Sequence, residues 1–218
     1  MNWRKMKYWV FDLDGTLTDS FGPYFTVVED LIGESLSRDQ KKELIGIHPA
    51  QIFKSRLPSE KAARALEILN EKSQMDTASI PLFNEIHSIC TYLKMNNCRL
   101  AVWTSRDLVS AKLVLNEVGI GHFFDYVISG DCVSNRKPHS EGIEILQKRF
   151  HCEPHEMVMV GDHDHDMEAA RSFGAQSLRA SWHNHWDHDN CTKSHKQFYC
   201  TSEFHLWLQS SFKKLGYI

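Results

Sequence analysis

The chain has 218 residues and a formal net charge of −3 from 25 basic and 28 acidic side chains, enough length for one substantial core plus a small inserted module. Such a balance offers neither a nucleic-acid groove nor a polybasic membrane anchor. No apolar run approaches the ~18 residues of a membrane span, and the opening MNWRKMKYWVFDLDG lacks a signal-peptide apolar region, so a cytoplasmic protein is expected.

Tyr8, Trp9, Val10 and Phe11 predict a buried strand that ends at an Asp-Gly turn. Asp12 and Asp14 stand at its C-terminal end. Side chains two apart on an extended strand point the same way, so both carboxylates can face one crevice, where they repel unless a hard cation sits between them. The spacing suits phosphoryl transfer, one aspartate attacking phosphorus and the other protonating the leaving oxygen. A lone DxD would be explained as readily by a turn.

From Ser20 to about Ile80 the strand signal gives way to helical periodicity. Phe25, Val28, Leu31 and Ile32 mark one helix, and Ala62, Ala63, Ala65, Leu66 and Leu69 mark another that begins near Pro58 and Ser59. A helix over Leu82 to Met95 follows, and then the strand segment CRLAVWTSR, residues 98–106. That segment ends in Thr104, Ser105 and Arg106, the candidate substrate-binding group. The two hydroxyls can hold a phosphate oxygen or cap the helix predicted over Leu108 to Val118, and a helix N-terminus favours anions in either case. An apolar stretch from Phe123 to Ile128 and the loop SGDCVSN lead to Arg136, Lys137 and Pro138. Beyond them a helix over His139 to Phe150 and a buried strand over Met157 to Val160 are expected, the strand ending in the acidic run GDHDHD.

The extended run DLDGTLTDS resembles the first signature of the haloacid dehalogenase-like hydrolases, a superfamily of mostly magnesium-dependent phosphatases, and the later segments fall in that family's order. The resemblance implies an α/β fold, a doubly wound parallel-sheet Rossmann-like core, with residues 1–19 and 81–218 as the core and 20–80 as an inserted α-helical cap, in the manner of the phosphoglycolate phosphatase-like branch. It implies catalytic roles for Asp12, Asp14 and Lys137, the lysine neutralising phosphate and nucleophile. It further implies a Mg²⁺ site from Asp12, Asp14 through its main-chain carbonyl, Asp162 and Asp166, with Asp166 acting through water or by orienting Lys137. All the signatures then lie at the C-terminal ends of strands, where open α/β sheets bind ligands. The acid at position 14 favours phosphate esters over halides, whose departure needs no proton.

The expected reaction is hydrolysis of a small phosphorylated metabolite through an aspartyl phosphate. A phosphomutase uses the same residues, and a non-catalytic binding or regulatory protein on this scaffold is the third reading, disfavoured by the intact set of acids, hydroxyls and lysine. Phosphoglycolate, a sugar phosphate, a nucleotide and a phosphorylated amino-acid precursor all stay open, as does the oligomeric state. His48, Gln51, Lys54 and Arg56 are the candidates in the cap for selecting among them. The histidine-rich run from Ser181 to Cys191 is expected to be a polar surface loop after the last core strand, and His163 and His165 to tune the acidic cluster or merely fill the turn. Six scattered cysteines without a CxxC pair are expected to be free, largely buried thiols. The tail from Thr201, with Phe204, Leu206, Trp207, Leu208 and Phe212, is expected to form a closing helix.

Overall fold

The computed structural model describes residues 3–44, 47, 49–75, 80–183 and 194–212. Six parallel strands form one sheet, β1 (Tyr8–Phe11), β2 (Arg99–Trp103), β3 (Tyr126–Ile128), β4 (Met157–Gly161), β5 (Gln176–Ala180) and β6 (Lys196–Phe198), in the spatial order β3-β2-β1-β4-β5-β6. The strand order reverses direction beside β1, whose Phe11 pairs with Val102 of β2 and Val160 of β4. That reversal opens a crevice at the C-terminal edge between β1 and its neighbours.

Alternation along the strands feeds two cores. Trp9, Phe11, Leu100, Val102, Val158 and Val160 pack against α5 (Ile86–Met95), α6 (Leu108–Glu117) and α9 (Thr201–Phe212). Val10, Ala101, Trp103, Met157 and Met159 face α7 (Glu141–Phe150) and α8 (Asp164–Phe173) on the other side. Period-2 side-chain direction explains the division, since both faces of a parallel sheet are covered by helices. Gly142 of α7 lies so close to the Trp103 ring that an added Cβ would overlap it. Gly142→Ala is expected to lower stability by about 1–3 kcal/mol, measurable as a shift in the urea midpoint at unchanged slope.

Between β1 and α5 the described residues form four helices, α1 (Phe21–Ile32), α2 (Arg38–Leu44), α3 (Pro49–Arg56) and α4 (Ser59–Met75). They enclose a separate core of Phe25, Val28, Leu36, Leu44, Ile52, Phe53, Ala62, Ala65 and Leu69, with Leu31, Ile32 and Leu66 partly buried against it. Ala63 is exposed, and among the described residues the buried stripe of α4 runs through Ala62, Ala65 and Leu69, with Leu66 partly buried beside it. Gly33 ends α1 in a left-handed conformation (φ 74°), and a reciprocal Ser37–Gln40 capping box starts α2. Helix α4 also touches α6, bringing this module against the sheet's helical layer.

Several expectations are corrected. Helix α5 begins at Ile86 rather than Leu82, because Leu82 bridges to Thr18 and Phe83 N–H donates to Leu17 O at 3.1 Å. The cap of α6 is Asp107, whose Oδ1 accepts from Ser110 N–H at 2.9 Å, not Thr104 or Ser105. Strand β6 lies beyond β5, so the histidine-rich run does not follow the last strand. Residues 184–191 of that run, and His48, lie outside the described residues. Helix α9 closes the sheet with Phe204 and Leu208 buried, whereas Leu206 is exposed. Cys90, Cys98 and Cys152 are buried free thiols, but Cys132 and Cys200 are exposed. Burial pushes the Cys90 thiol up to about 12. No helix among the described residues is long and apolar enough to cross a membrane.

Candidate active site

Asp12 continues the line of β1, its N–H donating to Val160 O of β4 at 2.9 Å. The chain then turns sharply through Gly15 (φ 83°), where Gly15 N–H donates to Thr18 O at 2.7 Å. A Cβ at Gly15 would stand 2.7 Å from Asp162 Oδ2 and overlap Phe21 as well, so only glycine permits both the turn and the close approach of Asp162. Asp162 itself follows β4, and Asp166 lies on the first turn of α8. Ligand oxygens of Asp12, Asp162 and Asp166, all buried, come within 4.8 Å of one another.

Lys137 reaches this cluster from the loop after β3. Its Nζ donates to Asp12 Oδ1 at 2.6 Å, Asp166 Oδ1 at 2.7 Å and Trp103 O at 3.0 Å. The loop is itself pinned: Glu141 accepts from the N–H groups of Ser134 and Asn135 at 2.8 Å each, and Gly130 N–H donates to Arg106 O at 2.7 Å. Burial alone would push the lysine down, but the carboxylates of Asp12 and Asp166 more than reverse it, so the ammonium is held charged. Burial pushes the Asp12 carboxyl well above the ordinary range, opposed by Lys137 and reinforced by Asp166, Asp162 and Asp14. Burial likewise raises Asp162, with Asp166 adding to the effect. One ammonium among three buried carboxylates leaves negative charge uncompensated, and an all-oxygen donor set of this kind fits a hard divalent cation.

Asp166 is engaged on both oxygens, Oδ1 by Lys137 and Oδ2 by His163 N–H at 3.1 Å. His163 caps α8, its Nδ1 accepting from His165 N–H at 3.2 Å. Thr104 is buried beside Trp103, while Ser105 is exposed. The Asp14 carboxylate is not in the acidic cluster of Asp12, Asp162 and Asp166 but is paired with Arg106, whose Nη2 donates to Oδ1 at 2.7 Å. Burial would raise Asp14, yet the Arg106 guanidinium, through charge and hydrogen bonds, holds it below the usual carboxylate range.

Three further residues touch the cluster and were not singled out by the sequence for it. Thr16 Oγ1 donates to Asp162 Oδ1 at 3.3 Å, Arg179 of β5 donates through Nη1 to the Asp162 carbonyl at 2.6 Å, and His183 Nε2 stands 3.4 Å from Asp162 Oδ2. A charged residue inside an otherwise buried strand was the available signal for Arg179. Of the candidates in the helical module, Gln51 and Lys54 are exposed and Arg56 is paired with Glu34.

The model of one family, haloacid dehalogenase-like hydrolase, matches residues 9–180. The chain belongs to that family. Among curated relatives of this hydrolase, Pyrophosphatase PpaX of Bacillus velezensis is 26% identical over 178 residues, covering 79% of this chain and 82% of the relative. Phosphoglycolate phosphatase of Vibrio cholerae is 27% identical over 199 residues, covering 84% and 88%. A haloacid dehalogenase-like hydrolase of Streptococcus pneumoniae superposes with a TM-score of 0.79 at 22% identity, over 96% of this chain and 99% of that one, a likeness of fold.

Proposed function

We propose that the protein is a Mg²⁺-dependent cytoplasmic phosphatase that hydrolyses a small phosphomonoester through a phosphorylated Asp12. The observation that carries this reading is the Lys137 ammonium shared by Asp12 and Asp166 beside Asp162. The names of the relatives, a pyrophosphatase and a phosphoglycolate phosphatase, support a small phosphorylated substrate. On this reading residues 1–19 and 81–218 are the catalytic core, and residues 20–80 are a cap that excludes water and meets the leaving group.

Lys137 binds Asp12 Oδ1, which leaves Oδ2 as the attacking atom. Asp14 first leaves Arg106 and takes up a proton from water; Oδ2 of Asp12 then forms a bond to phosphorus, the bond from phosphorus to the ester oxygen breaks, and Asp14 gives that oxygen the proton. Asp14 then takes a proton from water, the hydroxide attacks the same phosphorus, and the Asp12 carboxylate leaves with inorganic phosphate as the product. Lys137 and Thr104 hold the transferring oxygens, and Asp166 keeps Lys137 in place. Asp12, Asp162 and the Asp14 main-chain carbonyl would hold Mg²⁺, which neutralises charge on the phosphoryl group.

The test is release of inorganic phosphate from a panel of phosphate esters, with Mg²⁺ and after chelation. Turnover that disappears with chelator and returns with Mg²⁺ supports the reading, and turnover indifferent to chelator contradicts it. Asp14→Asn is expected to slow alkyl phosphates by about 10²–10⁴-fold while slowing p-nitrophenyl phosphate much less, since its leaving group departs without a proton. Equal loss on both substrates would remove Asp14 from the role of acid.

A further inference from the structure

Among the cations around the site, Arg106 has a partner that the proposed reaction must set free. Lys137 is bound to Asp12 and Asp166, and Arg179 to the Asp162 carbonyl and Asp164, groups that stay where they are. Arg106 instead grips the proposed acid. Its Nε donates to Asp14 Oδ1 at 2.9 Å and Oδ2 at 2.8 Å, and its Nη2 donates to Oδ1 at 2.7 Å. The remaining arm is fixed, Nη1 donating at 3.0 Å to the Oγ of Ser110, a buried residue of α6.

A planar guanidinium with one nitrogen anchored presents the other two as a fork matched to a carboxylate or a phosphate. It stays charged at every relevant pH, and its side chain here is only 17% exposed, so leaving it without an anion is strongly unfavourable. Both Asp14 oxygens are engaged in this fork, and Asp14 can turn to a leaving oxygen only as Arg106 receives another acceptor. Arg106 follows Thr104 and Ser105 directly on the chain, at the edge where the phosphoryl group is expected.

We propose that Arg106 is the receptor for a second anionic group on the substrate, a carboxylate or a further phosphate, and that Asp14 occupies this receptor until such a substrate displaces it. The proposal rests on the phosphatase reading and narrows its substrates to small phosphate esters whose leaving group is itself anionic. Esters with neutral leaving groups leave Arg106 on Asp14 and turn over slowly.

Three esters on one two-carbon frame test this: 2-phosphoglycolate, ethylene glycol bisphosphate and 2-hydroxyethyl phosphate. Their kcat/KM values are measured with Mg²⁺ on the wild type and Arg106→Gln, and their Kd values by calorimetry on Asp12→Asn with and without Arg106→Gln. The wild type is expected to favour at least one anionic ester over the neutral one by roughly tenfold or more. Arg106→Gln should bring that ratio close to one, mainly through KM, and the Kd ratio should collapse in parallel. The carboxylate and bisphosphate arms show which anion the fork takes. No preference in the wild type, or a preference untouched by Arg106→Gln while all three esters slow together, would overturn the proposal and leave Arg106 as a positioning residue for Asp14. Failure of the underlying phosphatase reading is distinguishable, as absence of Mg²⁺-dependent phosphate release by the wild type from these esters and from p-nitrophenyl phosphate alike.

Discussion

Asp12→Asn is expected to lower turnover by at least about 10⁴-fold, because on the proposed reading Asp12 Oδ2 is the attacking atom, and the residual rate without a nucleophile comes only from binding and electrostatics. The fold should survive. Asparagine has the shape of aspartate, its carbonyl oxygen can still accept from Lys137, and the change removes one of the two carboxylates, Asp12 and Asp162, whose charged forms burial disfavours. Thermal unfolding should therefore show a midpoint at or above that of the wild type. Substantial phosphate release by this variant would contradict the assignment, as would loss of cooperative unfolding.

Lys137→Met is expected to damage activity and stability together. Activity should fall by about 10²–10³-fold, the scale of losing one preorganised charge at the reacting group. Stability should fall by about 3–5 kcal/mol near neutral pH, because Asp12 and Asp166 lose the ammonium that both contact inside the protein. The pH dependence has a definite sign. Removing the cation raises the folded-state pKa of Asp12 still further above the unfolded value of about 3.9, so the folded variant binds more protons than the unfolded chain. Its penalty should be small below that value, grow as the pH rises through the raised folded pKa, and then level off. Urea midpoints of wild type and variant across acidic to neutral pH measure this, and a penalty independent of pH would show that the lost contacts are packing rather than charge. Chelation and the Asp14→Asn leaving-group series test the neighbouring roles separately.

Much of the fold could be read from the sequence where burial dictates composition. The run Trp9–Phe11 is buried on both sides of the sheet, so it is continuously apolar, and its end is marked by an aspartate and a glycine turn. The segments holding Thr104, Lys137 and Asp162 were legible for the same reason, each following an apolar strand. Less visible was β6, whose three residues Lys196, Gln197 and Phe198 carry one buried side chain and no alternation long enough to register. The beginning of α5 was misjudged because Leu82 and Phe83 are apolar for another purpose, packing beside the turn that follows Asp14.

Within the site, the residues identified the types, and the family resemblance implied that Lys137 meets Asp12 and that Asp166 orients it, but neither indicated the pairing of Arg106 with Asp14. Lys137 and Asp12 are separated by 125 positions, and nothing local reveals that one ammonium bridges Asp12 and Asp166. The grip of Arg106 on Asp14 spans 92 positions and changes what Arg106 means, from one member of a hydroxyl-rich strand end to the partner of the proposed acid. Thr16, Arg179 and His183 were passed over because each contacts Asp162 across elements distant in sequence. His163, by contrast, has a role that chain position alone accounts for, as the cap of the helix that carries Asp166.

The most direct test of phosphoryl transfer through Asp12 is to quench the enzyme in acid during turnover, reduce it with borohydride and map the product by mass spectrometry. A phosphorylated aspartate is reduced to homoserine, and the account predicts homoserine at position 12 that is absent without substrate. Homoserine at another position, or steady turnover with none at position 12, would contradict it.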